Sequence, residues 1–164
     1  MKTLYLLRHA KSSWDNPELK DFERPLSGRG TGDVPVMAAR FKDRQSMVDC
    51  IICSPANRAK TTAKLLAEHI GYPVDDIVSN PELYFAGMGM FLKAASLVDD
   101  DCESAMLVGH NPAITEFANA MFGGDIDNIP TCGLVELNVN VDHWGDIRFG
   151  SAKLVEFDYP KKSS

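Results

Sequence analysis

The sequence predicts an α/β protein, a three-layer α/β/α sandwich whose central sheet is mostly parallel and ends in a C-terminal antiparallel hairpin. Two patterns carry that prediction. From the N-terminus to about Met121, short apolar runs alternate with stretches of helical period, which is how strands and their crossover helices are written. The last third then switches to two-residue alternation in Val135, Leu137, Val139 and Val141. With 164 residues, 45% apolar and 24% charged, the chain has the composition of one ordinary core-forming domain, expected to span 1–159 with 160–164 as a frayed tail.

Thr3 to Leu7 is the first apolar run and the first strand. Val34, Met37, Ala38 and Phe41 recur at i, i+3, i+4 and i+7, so a helix follows, capped by Ser27 or Thr31. Val48 to Cys53 is the second strand. The second helix carries Ala59, Ala63, Leu66 and Ile70 on one face and stops at Gly71. A short strand falls at Ile77-Val78, a third helix under Phe91, Ala94, Ala95 and Val98, and another strand from Ala105 to Val108. Ile114, Phe117, Ala118 and Met121 mark a fourth helix ended by Gly123-Gly124. The hairpin turns at His143-Trp144-Gly145-Asp146, and its return arm runs from Ile147 to Phe157.

Charge and composition exclude several kinds of partner. The formal charge is −6 and no basic run exceeds Lys161-Lys162, so the cationic face that nucleic acid demands is missing. Nothing approaches the roughly 20 apolar residues of a membrane span. Arg8 and His9 interrupt the first apolar run where a signal peptide would continue, so a cytoplasmic location is expected. Of the four cysteines, only Cys50 and Cys53 have C-x-x-C spacing. Both lie in an apolar strand, where residues three apart face opposite ways, so they read as structural thiols. A thiol or zinc protein would require that strand reading to fail.

Two stretches share one construction, an apolar strand followed by a capping residue and a proline that opens a helix: Ser54-Pro55-Ala56-Asn57-Arg58 and His110-Asn111-Pro112-Ala113. Ser54 and Asn111 are favoured N-caps, and proline suits the first helical position because its missing N–H would have been unpaired anyway. Both helices should start at the C-terminal edge of the sheet, where α/β proteins bind ligands and where free N–H groups and the helix dipole attract phosphate. Arg8 and His9 end the first strand at that edge, Arg58 lies in the first turn of one helix, and His110 precedes the other. Two guanidiniums and two imidazoles on three strand ends make a set suited to phosphate and to proton or phosphoryl transfer.

These residues resemble the histidine phosphatase superfamily and, within it, the short SixA-type phosphohistidine phosphatases. The matching stretches are Leu6-Leu7-Arg8-His9-Ala10, Arg24-Pro25-Leu26-Ser27-Gly28-Arg29-Gly30, Ser54-Pro55-Ala56-Asn57-Arg58-Ala59 with Thr61-Thr62-Ala63, and Val108-Gly109-His110-Asn111-Pro112. The resemblance implies that His9 attacks phosphorus and becomes a phosphohistidine that water hydrolyses, while Arg8, Arg58 and His110 hold the phosphoryl oxygens. Asn111 and Ser12 join the expected phosphate contacts. The family fold implies no metal and no cofactor.

Relatives that cleave esters place an acidic residue where this chain has Pro81-Glu82-Leu83-Tyr84. Glu82 is either that general acid or a carboxylate at the pocket rim, and an imidazole leaving group needs such an acid far less than an alkoxide does. Ala10 stands where the family usually has glycine, which a negative φ tolerates. Asp15, in Ser12-Ser13-Trp14-Asp15, replaces an amide and cannot donate to phosphate when ionised. The expected function is a protein phosphohistidine phosphatase, since so short a chain has little room for a lid and its pocket should admit a phosphorylated protein. The alternatives are a small-molecule phosphomonoesterase relying on Glu82, or a phospho-binding module without catalysis. His69, His143, Met88, Met90, Trp14 and Trp144 read as surface, core or loop packing.

Overall fold

The structure is a computed structural model that describes residues 1–85 and 87–162. Among these, six strands form one sheet in the order β3-β2-β4-β1-β5-β6: β1 (Lys2–Arg8), β2 (Cys50–Cys53), β3 (Val78–Ser79), β4 (Ser104–Gly109), β5 (Leu134–Val139) and β6 (Ala152–Asp158). The four neighbours from β3 to β1 run parallel, whereas β5 is antiparallel to β1 and β6 to β5. The helices α1 (Gly28–Asp43), α2 (Asn57–Ile70), α3 (Met88–Ser96) and α4 (Ala113–Phe122) make the two outer layers.

The period-two rule assigns each strand residue to one layer. Leu4 and Leu6 join α3 and α4 in one core through Phe91, Ile114 and Phe117, while Tyr5 and Leu7 join α1 and α2 in the other through Met37, Phe41 and Leu66. Cys50 packs against the first core and Cys53 lies within the second, so the two thiols do face opposite sides. Burial raises both thiol pKa values to about 11. Ser27 caps α1 by accepting from the Gly30 amide at 3.1 Å. Gly71 and Gly123 end α2 and α4 in the left-handed region, at φ of 79° and 68°.

Three expectations are corrected. The β5–β6 connection spans residues 140–151 rather than a four-residue turn, and the return strand begins at Ala152, not Ile147. That length is used to seat Trp144, fully buried in the α3/α4 core with its indole N–H donating to the Cys102 carbonyl at 2.7 Å. The stretch 160–162 is tied down, because Arg40 of α1 donates to the carbonyls of Tyr159, Pro160 and Lys162; residues 163 and 164 lie outside the described ones. Finally, neither proline takes the first helical position. Helix α2 starts at Asn57 after Ala56, and α4 starts at Ala113 after Pro112.

Register carries the strand ends to one level. Arg8 pairs with Gly109, Cys53 with Val108, and the ladders continue one residue further through His9 N–H to Gly109 O (3.1 Å) and Ser54 N–H to Val108 O (3.0 Å). Gly109 is required there, since a Cβ on it would lie 2.6 Å from the Phe91 ring. Among the described residues, no helix is long and apolar enough to cross a membrane.

Candidate active site

At this edge a cavity of about 340 Å³ is lined by Arg8, His9, Arg58 and His110, with Leu83, Phe85 and Asn111 on its wall. His9 follows β1 directly and is almost wholly buried. Its Nδ1 lies 2.8 Å from the Ala10 carbonyl oxygen. A carbonyl only accepts, so Nδ1 carries the proton and Nε2 keeps its lone pair. Burial, helped by the neighbouring His110, Arg58 and Arg8 charges and opposed by the Ala10 hydrogen bond, pushes the His9 pKa down to about 3, so the ring is neutral at pH 7. Ala10 does not lie in the left-handed region, as its replacement of glycine requires.

His110 leaves β4 with its ring centroid 5.1 Å from that of His9. Its Nε2 sits 2.8 Å from the Ser54 hydroxyl, and its buried Nδ1 has no partner in the protein. A Ser54 hydroxyl donating to Nε2 leaves a proton on Nδ1, available to an incoming oxygen. Burial and the Arg58 charge lower the His110 pKa to about 4. Ser54 is not the N-cap of α2 that the sequence suggests, since that position falls to Ala56; its hydroxyl accepts from the Ala56 N–H at 3.3 Å and orients the histidine.

Arg58 is fixed by Asp21, a residue that sequence reasoning missed. Nη1 donates to the Asp21 backbone carbonyl at 2.8 Å and Nη2 to its carboxylate at 3.0 Å. The same carboxylate accepts from the Tyr84 hydroxyl at 2.8 Å and from Arg24 at 3.3 Å. Desolvation opposes ionisation of Asp21, but the bonds from Tyr84 and Arg58 outweigh it and hold the carboxyl below its ordinary range. Only the closeness of Asp21 to the Arg24-Pro25-Leu26 stretch hinted at it, because the contact spans 37 residues of chain. Thr62, also without an assigned role in the sequence, accepts from Ala10 N–H at 2.9 Å and donates to the Arg58 carbonyl at 2.7 Å.

The other predicted residues stand differently. Arg8 is half-buried and donates to the Ile129 carbonyl at 2.9 Å, leaving a buried Nε without a partner. Asn111 lines the cavity, but its amide is committed: Nδ2 donates to Asn128 and Ile129, and Oδ1 accepts from Thr115. Ser12 is outside the cavity lining, its hydroxyl accepting from Arg24. Glu82 is outside it too, held by Lys93 at 3.1 Å on the protein surface. Trp14 is no packing residue in the ordinary sense, being 71% exposed with the Arg24 guanidinium stacked 3.2 Å from its ring centroid. Among the described residues, no three His, Cys, Asp or Glu side chains gather as a metal site.

An α/β sheet whose C-terminal edge gathers two guanidiniums and two neutral imidazoles belongs to the class of phosphate-handling proteins. The profile of the histidine phosphatase superfamily (branch 1) matches residues 4–83. An uncharacterised protein of Mycobacterium tuberculosis is 30% identical over 166 residues, covering 94% of this chain and all of that one. A structure from Agrobacterium tumefaciens described as the "putative phosphohistidine phosphatase SixA" is similar with a TM-score of 0.83 and 30% identity, over 97% of this chain and 98% of that one. A protein histidine phosphatase SixA complexed with tungstate shares the fold, with a TM-score of 0.82 at 18% identity over 96% and 97% of the two chains. The chain belongs to the histidine phosphatase superfamily and is of its SixA type. Phosphatase activity is the activity of that superfamily.

Proposed function

We propose that the protein is a phosphohistidine phosphatase working through a phosphorylated His9. The observation that carries this reading is the His9 hydrogen bond to the Ala10 carbonyl, which leaves Nε2 unprotonated in a cavity with Arg8, Arg58 and His110. The Nε2 lone pair attacks phosphorus while the bond from phosphorus to the substrate imidazole nitrogen breaks, and that imidazole leaves with the electron pair and takes a proton from water. Arg8, Arg58 and His110 Nδ1–H hold the phosphoryl oxygens as their charge shifts. Water then attacks the phosphorus on His9, and inorganic phosphate departs as Nε2 recovers its lone pair.

The substrate follows from what the cavity lacks. Among the described residues no carboxyl group lines it; Glu82 stands outside, paired with Lys93, and the Asp21 carboxylate behind Arg58 is held ionised by Tyr84 and Arg58. An alkoxide leaving group would miss a general acid worth about 10²–10⁴ in rate, whereas an imidazole leaves without one. Ser12 and Asn111 act as positioning residues in this reading, Ser12 through Arg24 and Asn111 through the Ile129 carbonyl that also fixes Arg8. The partner is a protein carrying phosphohistidine, and the free thiols of all four cysteines suit a reducing, cytoplasmic setting.

The test pairs a phosphohistidine peptide with an alkyl phosphate, using wild type, His9→Ala and Glu82→Gln. Wild type should hydrolyse the peptide through an acid-labile phosphoenzyme that His9→Ala cannot form, and Glu82→Gln should spare that reaction. Rapid alkyl ester cleavage that Glu82→Gln cripples would establish a small-molecule phosphomonoesterase instead, and binding without any phosphoenzyme would establish a phospho-binding module.

A further inference from the structure

Outside the phosphate cavity, the rings continue. Tyr84 lies edge-on to His110 with centroids 5.7 Å apart, Phe85 leans on Tyr84 at 4.3 Å and 31°, and Phe22 meets Tyr84 from the other side at 5.0 Å and 78°. The series runs from the reacting imidazoles to solvent, where Phe85 is 78% exposed and Phe22 42% exposed. Phe85 also lines the cavity itself. Its backbone is left-handed, with φ of 54°, a conformation that disfavours a bulky side chain. An exposed phenylalanine on strained backbone contributes little to the core, so the reason for its placement lies in what it meets.

We propose that Phe22, Tyr84 and Phe85 form a leaving-group wall that selects phosphoryl groups carried on a flat aromatic ring, the imidazole of phosphohistidine. This rests on the reading of His9 as nucleophile, and it adds a reason for substrate choice that the phosphate contacts do not contain, since Arg8, Arg58 and His110 would grip any phosphoryl group alike. A ring bonded to phosphorus at the cavity would project toward the mouth, where Phe85 is part of the lining and can pack against it. The wall is anchored to the phosphate site as well, because the Tyr84 hydroxyl binds the carboxylate that holds Arg58. An alkyl or sugar ester would leave these rings exposed.

Two measurements test the wall. Calorimetric binding of phenylphosphonate and methylphosphonate needs no turnover: wild type should prefer the phenyl compound about threefold to tenfold, Phe85→Ala should abolish the preference, and Phe85→Tyr should restore it. Equal affinity in wild type, or a preference that survives in Phe85→Ala and Phe22→Ala alike, overturns the wall whatever the fate of His9. The second measurement compares a phosphohistidine peptide with phosphoramidate, which has the same bond from phosphorus to nitrogen and no ring. The ratio of their kcat/KM values should fall by a similar factor in Phe85→Ala, and a ratio that stays constant overturns the proposal. Failure of the nucleophile reading is seen separately, as the absence of a phosphoenzyme from either substrate in wild type.

Discussion

The two edges of the sheet hold hollows of very different size and chemistry. At the N-terminal edge of the parallel strands, a groove of about 740 Å³ lies over Thr3, Tyr5, Arg44, Glu136 and Glu156, more than twice the 340 Å³ of the cavity at the opposite edge. In the larger groove, charges are mostly closed into local pairs: Arg44 with Asp158 at 3.0 Å, Lys162 with Glu156 at 3.3 Å, Lys2 with Glu103 at 3.6 Å. In the smaller cavity, one carboxylate, Asp21, positions Arg58, while Arg8 Nε and His110 Nδ1 are buried without partners. Volume alone would point to the edge opposite the histidines. Buried donors without partners stand at both edges, Arg44 Nε and Nη2 at the larger groove included, so the sign of the lining tells the edges apart: Asp49, Glu103, Glu136 and Glu156 stand in the groove, whereas the charged side chains lining the small cavity are Arg8 and Arg58, which suit an anion.

Substitutions at each edge sharpen that contrast. The largest loss is expected from His9→Ala, about 10³-fold or more in turnover, measured by phosphate release. Arg58→Ala should lower kcat about 10²–10³-fold, as the loss of one oxyanion donor does. Asp21→Asn should lower it less, because the guanidinium keeps its charge and loses only its anchor; an equal loss would mean that Asp21 itself takes part in the chemistry.

The pH dependence of stability comes next. His9 and His110 have pKa values lowered to about 3 and about 4 in the folded protein, against about 6.5 when unfolded. As pH falls below 6.5 the unfolded chain takes up protons that the folded one refuses, so stability falls with pH toward the folded values. The slope is up to about 1.4 kcal/mol per pH unit from each histidine, full stability from both being present above 6.5. Urea unfolding at pH 7 and pH 5.5 measures it, and His110→Asn should flatten the difference.

Gly109→Ala should destabilise by about 1–3 kcal/mol, since its methyl group would meet the buried Phe91 ring. The smallest effect belongs to the other edge. Glu136→Gln should leave turnover where it was and change stability by about 0.5 kcal/mol or less, and any loss of activity would break the comparison of the two edges.

What could be read from the chain alone follows the same division between local and distant information. The strands under Leu4, Leu6, Ile51 and Leu107 and the helices under Phe41, Leu66 and Phe117 announce themselves through local period, and parallel strands that end at one level bring Arg8, Arg58 and His110 to one edge. Asp21 with Arg58, Tyr84 with Asp21, and Ser54 with His110 are side-chain contacts across 37, 63 and 56 residues, and no period records them. Glu82 illustrates the limit. Its place after β3 was legible, but its pairing with Lys93 depends on how α3 packs against the preceding turn. The hairpin was legible as alternation, whereas the burial of Trp144, which sets the length of its loop, was not.

Thr62 joins two things that the chain keeps 52 residues apart, the peptide after His9 and the helix that presents Arg58. Through one hydroxyl, the loop leaving β1 is tied to the first turn of α2, so His9 and Arg58 cannot drift apart without breaking a buried hydrogen bond. In the proposed reaction, the reorganisation that water would undergo around a transferring phosphoryl group is completed in this respect when the protein folds, once for the lifetime of the molecule instead of once per turnover.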